Sequence, residues 1–213
     1  MVEYPFPRPA VTVDTIVFRV TDAVLEVLLI RRDASPFAGS WALPGGFVHE
    51  DEPLEATAAR VLGEKAGVTT YHLEQLGTFG APDRDPRDRV ISVAYFAIIN
   101  GDPAVDKNAE WFSVDDVPPT AFDHDHIIAT AIQRLRSKLT YTRIGFAFVP
   151  DVFTLPQLQR TWEAVLKAPL DKRNFRKMVM ADGQVIATGE KTRGGAHPPA
   201  MLYRTIQPIR ETQ

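Results

Sequence analysis

The stretch Gly46–Val68, GFVHEDEPLEATAARVLGEKAGV, holds the strongest pattern in this chain of 213 residues. Its second half predicts a helix that ends near Gly67. Positions 60, 61, 64 and 65 are separated by three- and four-residue steps, so they crowd one end of a single helical face. Glu64 is the only carboxylate of that patch, and Lys65 places a cation beside it. One carboxylate rarely holds Mg²⁺ tightly. The patch therefore has the spacing of a metal site but lacks most of the carboxylate ligands that such a site needs.

This stretch resembles the Nudix box, which reads Gly, five residues, Glu, seven residues, then Arg-Glu-aliphatic-x-Glu-Glu-x-Gly-aliphatic. The matching residues are Gly46, Glu52, Arg60, Leu62, Glu64, Gly67 and Val68. Val61 and Lys65 stand where the family has glutamates. In that family the box carboxylates hold divalent metal against a nucleoside diphosphate linkage, so the resemblance implies a scaffold that has lost metal ligands. Glu52 and Glu64 are the residual catalytic candidates, Glu64 is the one metal candidate, and Mg²⁺ or Mn²⁺ is implied only if hydrolysis survives.

Apolar and β-branched runs around the box predict a sheet. The predicted strands are Val11–Val20, Val24–Arg32, His72–Phe79, Arg89–Asn100 and Glu110–Val114. A Pro/Gly-rich loop joins Asp33 to Gly46, and apolar residues at helical spacing predict a helix over Asp125–Leu139. A mixed sheet with helices on both faces accounts for these elements. The predicted fold class is therefore α/β, an α/β/α sandwich as in Nudix domains.

Composition and charge restrict the class of protein. The chain has no cysteine and no apolar run of about 20 residues, and its start lacks the layout of a signal peptide. We therefore expect a cytoplasmic protein without a membrane partner. The net charge of −3 is the sum of a charge of −11 in residues 1–126 and a charge of +8 in residues 127–213. Such a split suggests an acidic domain joined to a basic domain that meets a polyanion.

Past residue 140 the pattern changes to two helices and a hairpin. The predicted elements are an apolar strand or linker over Thr140–Phe153, a helix from Thr154, a second helix over Lys172–Ala181, and a strand pair, Val185–Thr188 with Met201–Ile206. The hairpin tip between these strands is Gly-rich and basic. This order is typical of a winged helix-turn-helix.

The second helix carries basic residues on one arc and Phe175, Met178 and Val179 on the opposite arc. The basic arc is predicted to enter a major groove, where arginine pairs with guanine edges and phosphates and lysine mainly with phosphates. The candidate DNA-binding residues are Lys172, Arg173, Asn174, Arg176 and Lys177 on the helix, with Lys191, Arg193 and His197 on the hairpin. A solvated basic helix in a small dimerisation domain is the alternative interpretation.

With both halves in view, the chain resembles the Nudix-related transcriptional regulators of bacterial NAD metabolism. The tail FTLPQLQRTWEAVLKAPLDKRNFRKMV…TGEKTRGGAHPPAMLYR is similar to their DNA-binding domain almost end to end. The resemblance implies a sensing domain over residues 1–140 and a DNA-binding domain over residues 141–213. It also implies a homodimeric repressor that binds a palindromic double-stranded operator and is released by ADP-ribose.

Ligand recognition is expected from cations and backbone amides near the box. Arg32, Arg84 and Arg87, with N–H groups near Gly45 and Gly46, are the candidates for the phosphates. Trp41 or Phe79 is a candidate to stack on a ring of the ligand. Two other functions remain open: an active Nudix hydrolase of ADP-ribose or a related nucleoside diphosphate, and a regulator of this architecture that senses a sugar or another metabolite.

Overall fold

The structure, a computed structural model, describes residues 6, 8–68, 72–181, 183, 185–192 and 199–206. Its strands are β1 (Ala10–Thr21), β2 (Val24–Arg31), β3 (Trp41–Ala42), β4 (Gly45–Phe47), β5 (His72–Phe79), β6 (Val90–Ile98), β7 (Ala109–Ser113), β8 (Val152–Thr154), β9 (Val185–Lys191) and β10 (Met201–Thr205). Its α-helices are α1 (Leu54–Val61), α2 (His124–Leu139), α3 (Leu155–Leu166) and α4 (Lys172–Ala181). A π-helical turn over Leu62–Ala66 continues α1, and a 3-10 turn over Ile144–Phe148 follows α2.

Strands β1 to β7 form one mixed sheet with β1 near its centre. β1 runs parallel to β6 and antiparallel to β2 and β4. β5 pairs with β6, and β3 and β7 pair with β2, all antiparallel. Alternate β1 side chains face opposite sides: Val13 and Val17 pack toward α1 and the π-helical turn, while Ile16 and Phe18 pack toward α2. Helices therefore cover both faces, and the predicted α/β/α sandwich is confirmed.

The loop predicted over residues 33–46 contains the two short strands β3 and β4. β4 aligns Gly45 with Asp14, and Gly46 with Val13, on β1. This pairing fixes the start of the box against the middle of the sheet. Strands of two or three residues are too short to show the alternation by which a strand is recognised in a sequence.

The second predicted unit is a winged helix. The Thr154 hydroxyl accepts a hydrogen bond from the Gln157 amide at 3.2 Å and caps α3. Trp162 of α3 and Phe175 of α4 pack edge to face, with ring centroids 5.4 Å apart. β8, β10 and β9 form a three-stranded antiparallel sheet in that order. The predicted helix, turn, helix and hairpin are confirmed.

The segment predicted as an apolar strand or linker is a buried 3-10 turn followed by β8. Gly145 lies in this turn, and a Cβ there would stand 2.2 Å from Trp162 Nε1. The close approach of the turn to α3 therefore requires glycine. One apolar cluster runs from the sheet through α2 to α3 and α4, so the two units share a core. Among the described residues, none of the helices has the length and apolar character needed to cross a bilayer.

Candidate ligand cavity and nucleic-acid interface

A cavity of about 470 Å³ opens beside the centre of the mixed sheet. Its walls come from β1, the end of β2 and the loop after it, β4, the π-helical turn, the loop after β5 and the start of α2. Ligand cavities commonly measure roughly 300–1,000 Å³. Six of the candidate site residues predicted from the sequence line it: Arg32, Gly45, Gly46, Glu64, Arg84 and Arg87. The structure therefore brings together candidates that lie up to 55 positions apart in the sequence, from Arg32 to Arg87.

The floor of the cavity is a buried network of charged side chains. Arg84 donates to Asp123 through Nε at 3.0 Å and through Nη2 at 2.7 Å, and Nη2 lies 3.4 Å from Asp14 Oδ2. The same Asp14 oxygen accepts a hydrogen bond from the Ser92 hydroxyl at 2.5 Å. Because Arg84 is engaged by two carboxylates, its charge is largely compensated within the protein. Its position suits it to shape the floor.

His124 adds a neutral member to this network. Its Nδ1 accepts a hydrogen bond from the Leu43 amide at 2.9 Å, and its Nε2 lies 3.6 Å from Asp14 Oδ1. Burial lowers the pKa of His124, so the ring is neutral at physiological pH. The backbone at Gly45 passes close to the Asp14 side chain, because a Cβ added to Gly45 would lie 1.9 Å from Asp14 Oδ1. Neither Asp14 nor His124 was predicted as a site residue, because one lies in an apolar strand and the other at a helix start.

The rim of the cavity pairs arginines with aromatic rings. The Arg32 guanidinium lies 4.7 Å from the Phe122 ring centroid, and the Arg87 guanidinium lies 5.6 Å from Phe122 and 5.4 Å from Phe47. Arg87 is also paired with Asp85 at 2.7 Å. Phe122 has a φ of 58°, in the left-handed region that few non-glycine residues adopt. Phe47 and Phe122 are the phenylalanine rings placed at the cavity. Neither was predicted, because the three-residue strand that holds Phe47 and the loop that holds Phe122 have no periodic pattern.

The two aromatic residues proposed from the sequence lie elsewhere. Trp41 does not line the cavity. Its ring packs edge to face against Phe112, with ring centroids 4.9 Å apart, and the Arg31 guanidinium lies 4.6 Å from the Trp41 ring centroid. Phe79 meets the ring of His126 at 5.8 Å. Both rings are used in packing within the domain.

The two box carboxylates have different environments. Glu52 accepts two hydrogen bonds of 2.8 Å from Arg60 and one of 2.8 Å from the Thr57 hydroxyl. The Arg60 hydrogen bonds are the main reason that the pKa of Glu52 falls to about 2. Glu52 does not line the cavity. Glu64 does line it, with its side chain 60% exposed and 3.5 Å from Arg60.

Lys65 occupies the cavity where the family pattern has a glutamate. Its Nζ donates a hydrogen bond to the Gly45 carbonyl at 2.5 Å. Much of the residue is exposed, yet burial of the ammonium group lowers the pKa of Lys65. Val61, the other departure, is fully buried. Within the described part of the chain, no three His, Cys, Asp or Glu side chains are grouped to hold a metal ion. This donor set does not fit the divalent-metal centre of the box.

The candidate DNA-binding face lies on α4. Its exposed side chains are Lys172, Arg173, Asn174, Arg176 and Lys177. None of the four cations forms an ion pair with another described residue. Phe175 and Val179 are buried as predicted, but the placement of Met178 on the buried face was wrong, since it is 45% exposed. Met178 lies at the edge of the apolar arc, beyond the surface that α3 covers.

The hairpin candidates are only partly described. Lys191 is exposed at the end of β9. Arg193 and His197 lie outside the described residues.

The fold and its two surfaces define a Nudix domain joined to a winged helix DNA-binding domain. The NUDIX domain family model matches residues 8–131, and the model of the NrtR DNA-binding winged helix domain matches residues 145–205. The chain belongs to the NrtR family of Nudix-related transcriptional regulators, and the family predicted from the sequence is thereby confirmed.

Two known proteins, one of them in two crystal structures, illustrate the relationship. The ADPR responsive transcriptional repressor NtrR of Acinetobacter baylyi is 37% identical over 208 residues, which cover 93% of this chain and 83% of that protein. The crystal structure of Shewanella oneidensis NrtR complexed with a 27mer DNA is 36% identical with a TM-score of 0.82, over 92% of this chain and 93% of that chain. The NUDIX domain of the same NrtR complexed with ADP ribose is 39% identical with a TM-score of 0.57, over 62% and 94% of the two chains.

Proposed function

We propose that this protein is an ADP-ribose-responsive transcriptional repressor that binds double-stranded operator DNA as a homodimer. One observation carries the proposal: the same chain joins a polar cavity of about 470 Å³ without a metal donor set to an exposed helix face of unpaired cations. The relatives bound to DNA and to ADP-ribose support both halves of it. Operator binding requires contact with the chromosome, so we propose a cytoplasmic location.

On DNA, α4 is the recognition helix. Its N-terminus is capped by Asp171 Oδ1, which accepts from the Asn174 amide at 2.8 Å. Arg173 and Arg176 have the donor geometry for guanine edges or phosphates, while Lys172 and Lys177 suit phosphates. Lys191, with Arg193 and His197 of the same hairpin, contacts the backbone or the minor groove. Two copies related by a two-fold axis read two half-sites about one or two helical turns apart.

One side of the cavity is cationic and receives the diphosphate. It is formed by Arg32, Arg84, Arg87 and the backbone of Gly45–Gly46. Arg84 and Arg87 are already paired with carboxylates, so their main role is to form the surface of the cavity. Arg32 makes the stronger new contact with the diphosphate. Phe122 and Phe47 offer the ring faces for stacking. Trp41, a β3 residue outside the cavity, packs against Phe112 of β7.

Helix α2 connects the cavity with the DNA-binding unit. At its start, Asp123 accepts from Arg84 and His124 accepts from Leu43. Near its end, Arg136 Nε donates to the Val165 carbonyl of α3 at 2.9 Å. A shift of α2 on ligand binding would change the relative orientation of the two recognition helices in the dimer, so that they no longer match their half-sites.

The loss of the metal donor set favours a sensor over a hydrolase. Glu64 is the one box carboxylate at the cavity, and we propose that no Mg²⁺ or Mn²⁺ is required for ligand binding. The hydrolase alternative predicts AMP release from ADP-ribose with either metal, which chromatography of the products detects. The alternative of a sugar ligand predicts stabilisation by sugars but not by ADP-ribose in a thermal unfolding series.

The test begins with selection of an operator from random double-stranded DNA by the full chain. Fluorescence anisotropy then measures operator affinity with and without saturating ADP-ribose. An equimolar mixture of AMP and ribose 5-phosphate is the matched control, because it supplies the same groups without the diphosphate linkage. We expect ADP-ribose alone to weaken operator binding. An affinity unchanged by ADP-ribose would contradict the sensing function, and the absence of any selected sequence would contradict the regulator.

A further inference from the structure

The cations of the cavity differ in whether the protein compensates their charge. Arg84 is held by Asp123 and Asp14, and Arg87 is held by Asp85. Arg32 instead donates to two main-chain carbonyls, Pro36 O at 3.0 Å and Ala34 O at 3.3 Å, and Lys65 donates to Gly45 O. In the described residues neither Arg32 nor Lys65 forms an ion pair. These two cations therefore face the cavity without a bound carboxylate.

Arg32 and Lys65 line the same cavity, and their like charges interact there. After burial, the charge of Arg32 is the largest cause of the lowered pKa of Lys65. The nearby carboxylates are already engaged: Asp14 by Arg84 and Ser92, and Glu64 by Arg60. Two like charges placed together at a partly desolvated site favour an anion that lies between them. Each group keeps N–H donors beyond those that its carbonyl partners use.

We propose that Lys65 and Arg32 form a metal-independent clamp for the diphosphate of the ligand, in which the Lys65 ammonium replaces the divalent cation of an active Nudix site. The Lys65 ammonium is hydrogen-bonded to the Gly45 carbonyl, on the side of the cavity where the family's glutamates at positions 61 and 65 would have held the metal ion. Its Nζ also lies 4.0 Å from the position that a Cβ would take at Gly46. The cation is thus carried by the chain itself. This inference rests on the proposed function, because it assigns the diphosphate of ADP-ribose to a particular part of the cavity.

An ammonium at this position has consequences that a metal ion does not have. Lysine binds phosphate as a point charge, and chelators cannot remove it. It also offers no open coordination position at which water is activated, unlike a catalytic metal ion. The clamp therefore permits tight binding of a diphosphate without its cleavage, which suits a sensor.

The test is isothermal titration calorimetry of the full chain with ADP-ribose, once with EDTA and once with Mg²⁺. The test variants are Lys65→Gln and Arg32→Gln, each of which removes one charge. The control is Arg134→Gln, which removes a charge from an exposed position of α2 outside the cavity. Thermal unfolding of each variant verifies that it is folded. We expect equal wild-type affinity in both buffers, a loss of about 10- to 100-fold in Lys65→Gln and in Arg32→Gln, and no loss in the control.

The outcomes separate the clamp from the proposed function. Wild-type binding that requires Mg²⁺, or a folded Lys65→Gln variant that binds as the wild type does, overturns the clamp and leaves ADP-ribose sensing intact. If the wild type does not bind ADP-ribose, the proposed function fails, and inorganic pyrophosphate in EDTA then tests the clamp alone. Pyrophosphate binding that Lys65→Gln weakens supports the clamp, and any other result with pyrophosphate overturns it.

Discussion

Removal of the Arg84 guanidinium tests the buried network under the cavity. The side chains of Arg84 and Asp14 are 3% and 8% exposed, and Arg84 also holds Asp123 through two hydrogen bonds. In Arg84→Met the apolar stem keeps most of its packing, but Asp14 loses its cationic partner. Of its other contacts, the hydrogen bond from Ser92 and the 3.6 Å approach of His124 Nε2 remain.

Removing one partner of a buried ion pair costs about 3–5 kcal/mol, because the other charge stays buried and uncompensated. The remaining Ser92 hydrogen bond and the partial exposure of Asp123 place the expected loss near the lower end, about 3 kcal/mol. Domains of this kind have unfolding free energies of about 5–15 kcal/mol, so the variant remains folded at 25 °C. With a urea m-value of about 3 kcal/mol/M, the unfolding midpoint falls by about 1 M.

Urea titration followed by tryptophan fluorescence and circular dichroism measures this loss. Arg134→Met is the control, because an exposed substitution is expected to change stability by less than about 0.5 kcal/mol. The double variant Arg84→Met/Asp14→Asn removes the uncompensated charge and should recover part of the stability. A single variant within about 1 kcal/mol of the wild type, or two changes that are strictly additive, would refute the inference that the pair is a coupled buried unit.

Three further outcomes are expected. Arg176→Glu should abolish binding to the selected operator, whereas Arg134→Glu should not; normal anisotropy titrations of Arg176→Glu would remove α4 from the interface. Glu52 has a folded pKa of about 2 against an ordinary 4.5, so it stabilises the fold above pH 4.5 and this contribution disappears as the pH falls toward 2. Thermal unfolding across that window should therefore show a steeper loss in the wild type than in Glu52→Gln; parallel curves would contradict this. Val61→Glu/Lys65→Glu should acquire Mn²⁺ affinity in calorimetry that the wild type lacks, since it restores both family carboxylates, and the absence of binding would show that backbone position also matters.

The sequence predicted the longer elements because their signals are local. The apolar, β-branched run of β1 and the 3.6-residue period of α2 and α3 are each contained within one segment, so their ends agree with the structure to within a few residues. The basic face of α4 was predictable for the same reason. β3 and β4 were not, since such short strands exist only because β1 and β2 are present to pair with them.

The cavity was predicted in part. Arg32, Arg84 and Arg87 were identified as candidates for the phosphates. The contacts of Arg84 with Asp123 and Asp14 were not predicted, because ion pairs across the fold leave no mark on the sequence; Arg87, in contrast, pairs with Asp85 two positions before it. Lys65 shows the limit most clearly. The presence of lysine at this position showed from the sequence that a metal ligand is lost. The position of its ammonium group in the cavity could not be predicted, because it depends on the antiparallel pairing of β4 with β1.

We propose that the same geometry couples diphosphate binding at the clamp to the DNA-binding unit. Arg32 lies over the ring of Phe122, which holds a left-handed backbone conformation directly before Asp123 and the first turn of α2. We infer that a ligand that draws Arg32 toward Lys65 would alter its contact with Phe122, at the start of α2, and Arg136 joins the other end of α2 to α3. A 100-fold change in operator affinity needs a coupling free energy of about 2.7 kcal/mol. That is comparable to one or two hydrogen bonds to charged groups, so new contacts of the ligand with Arg32 have the size that the proposed switch requires.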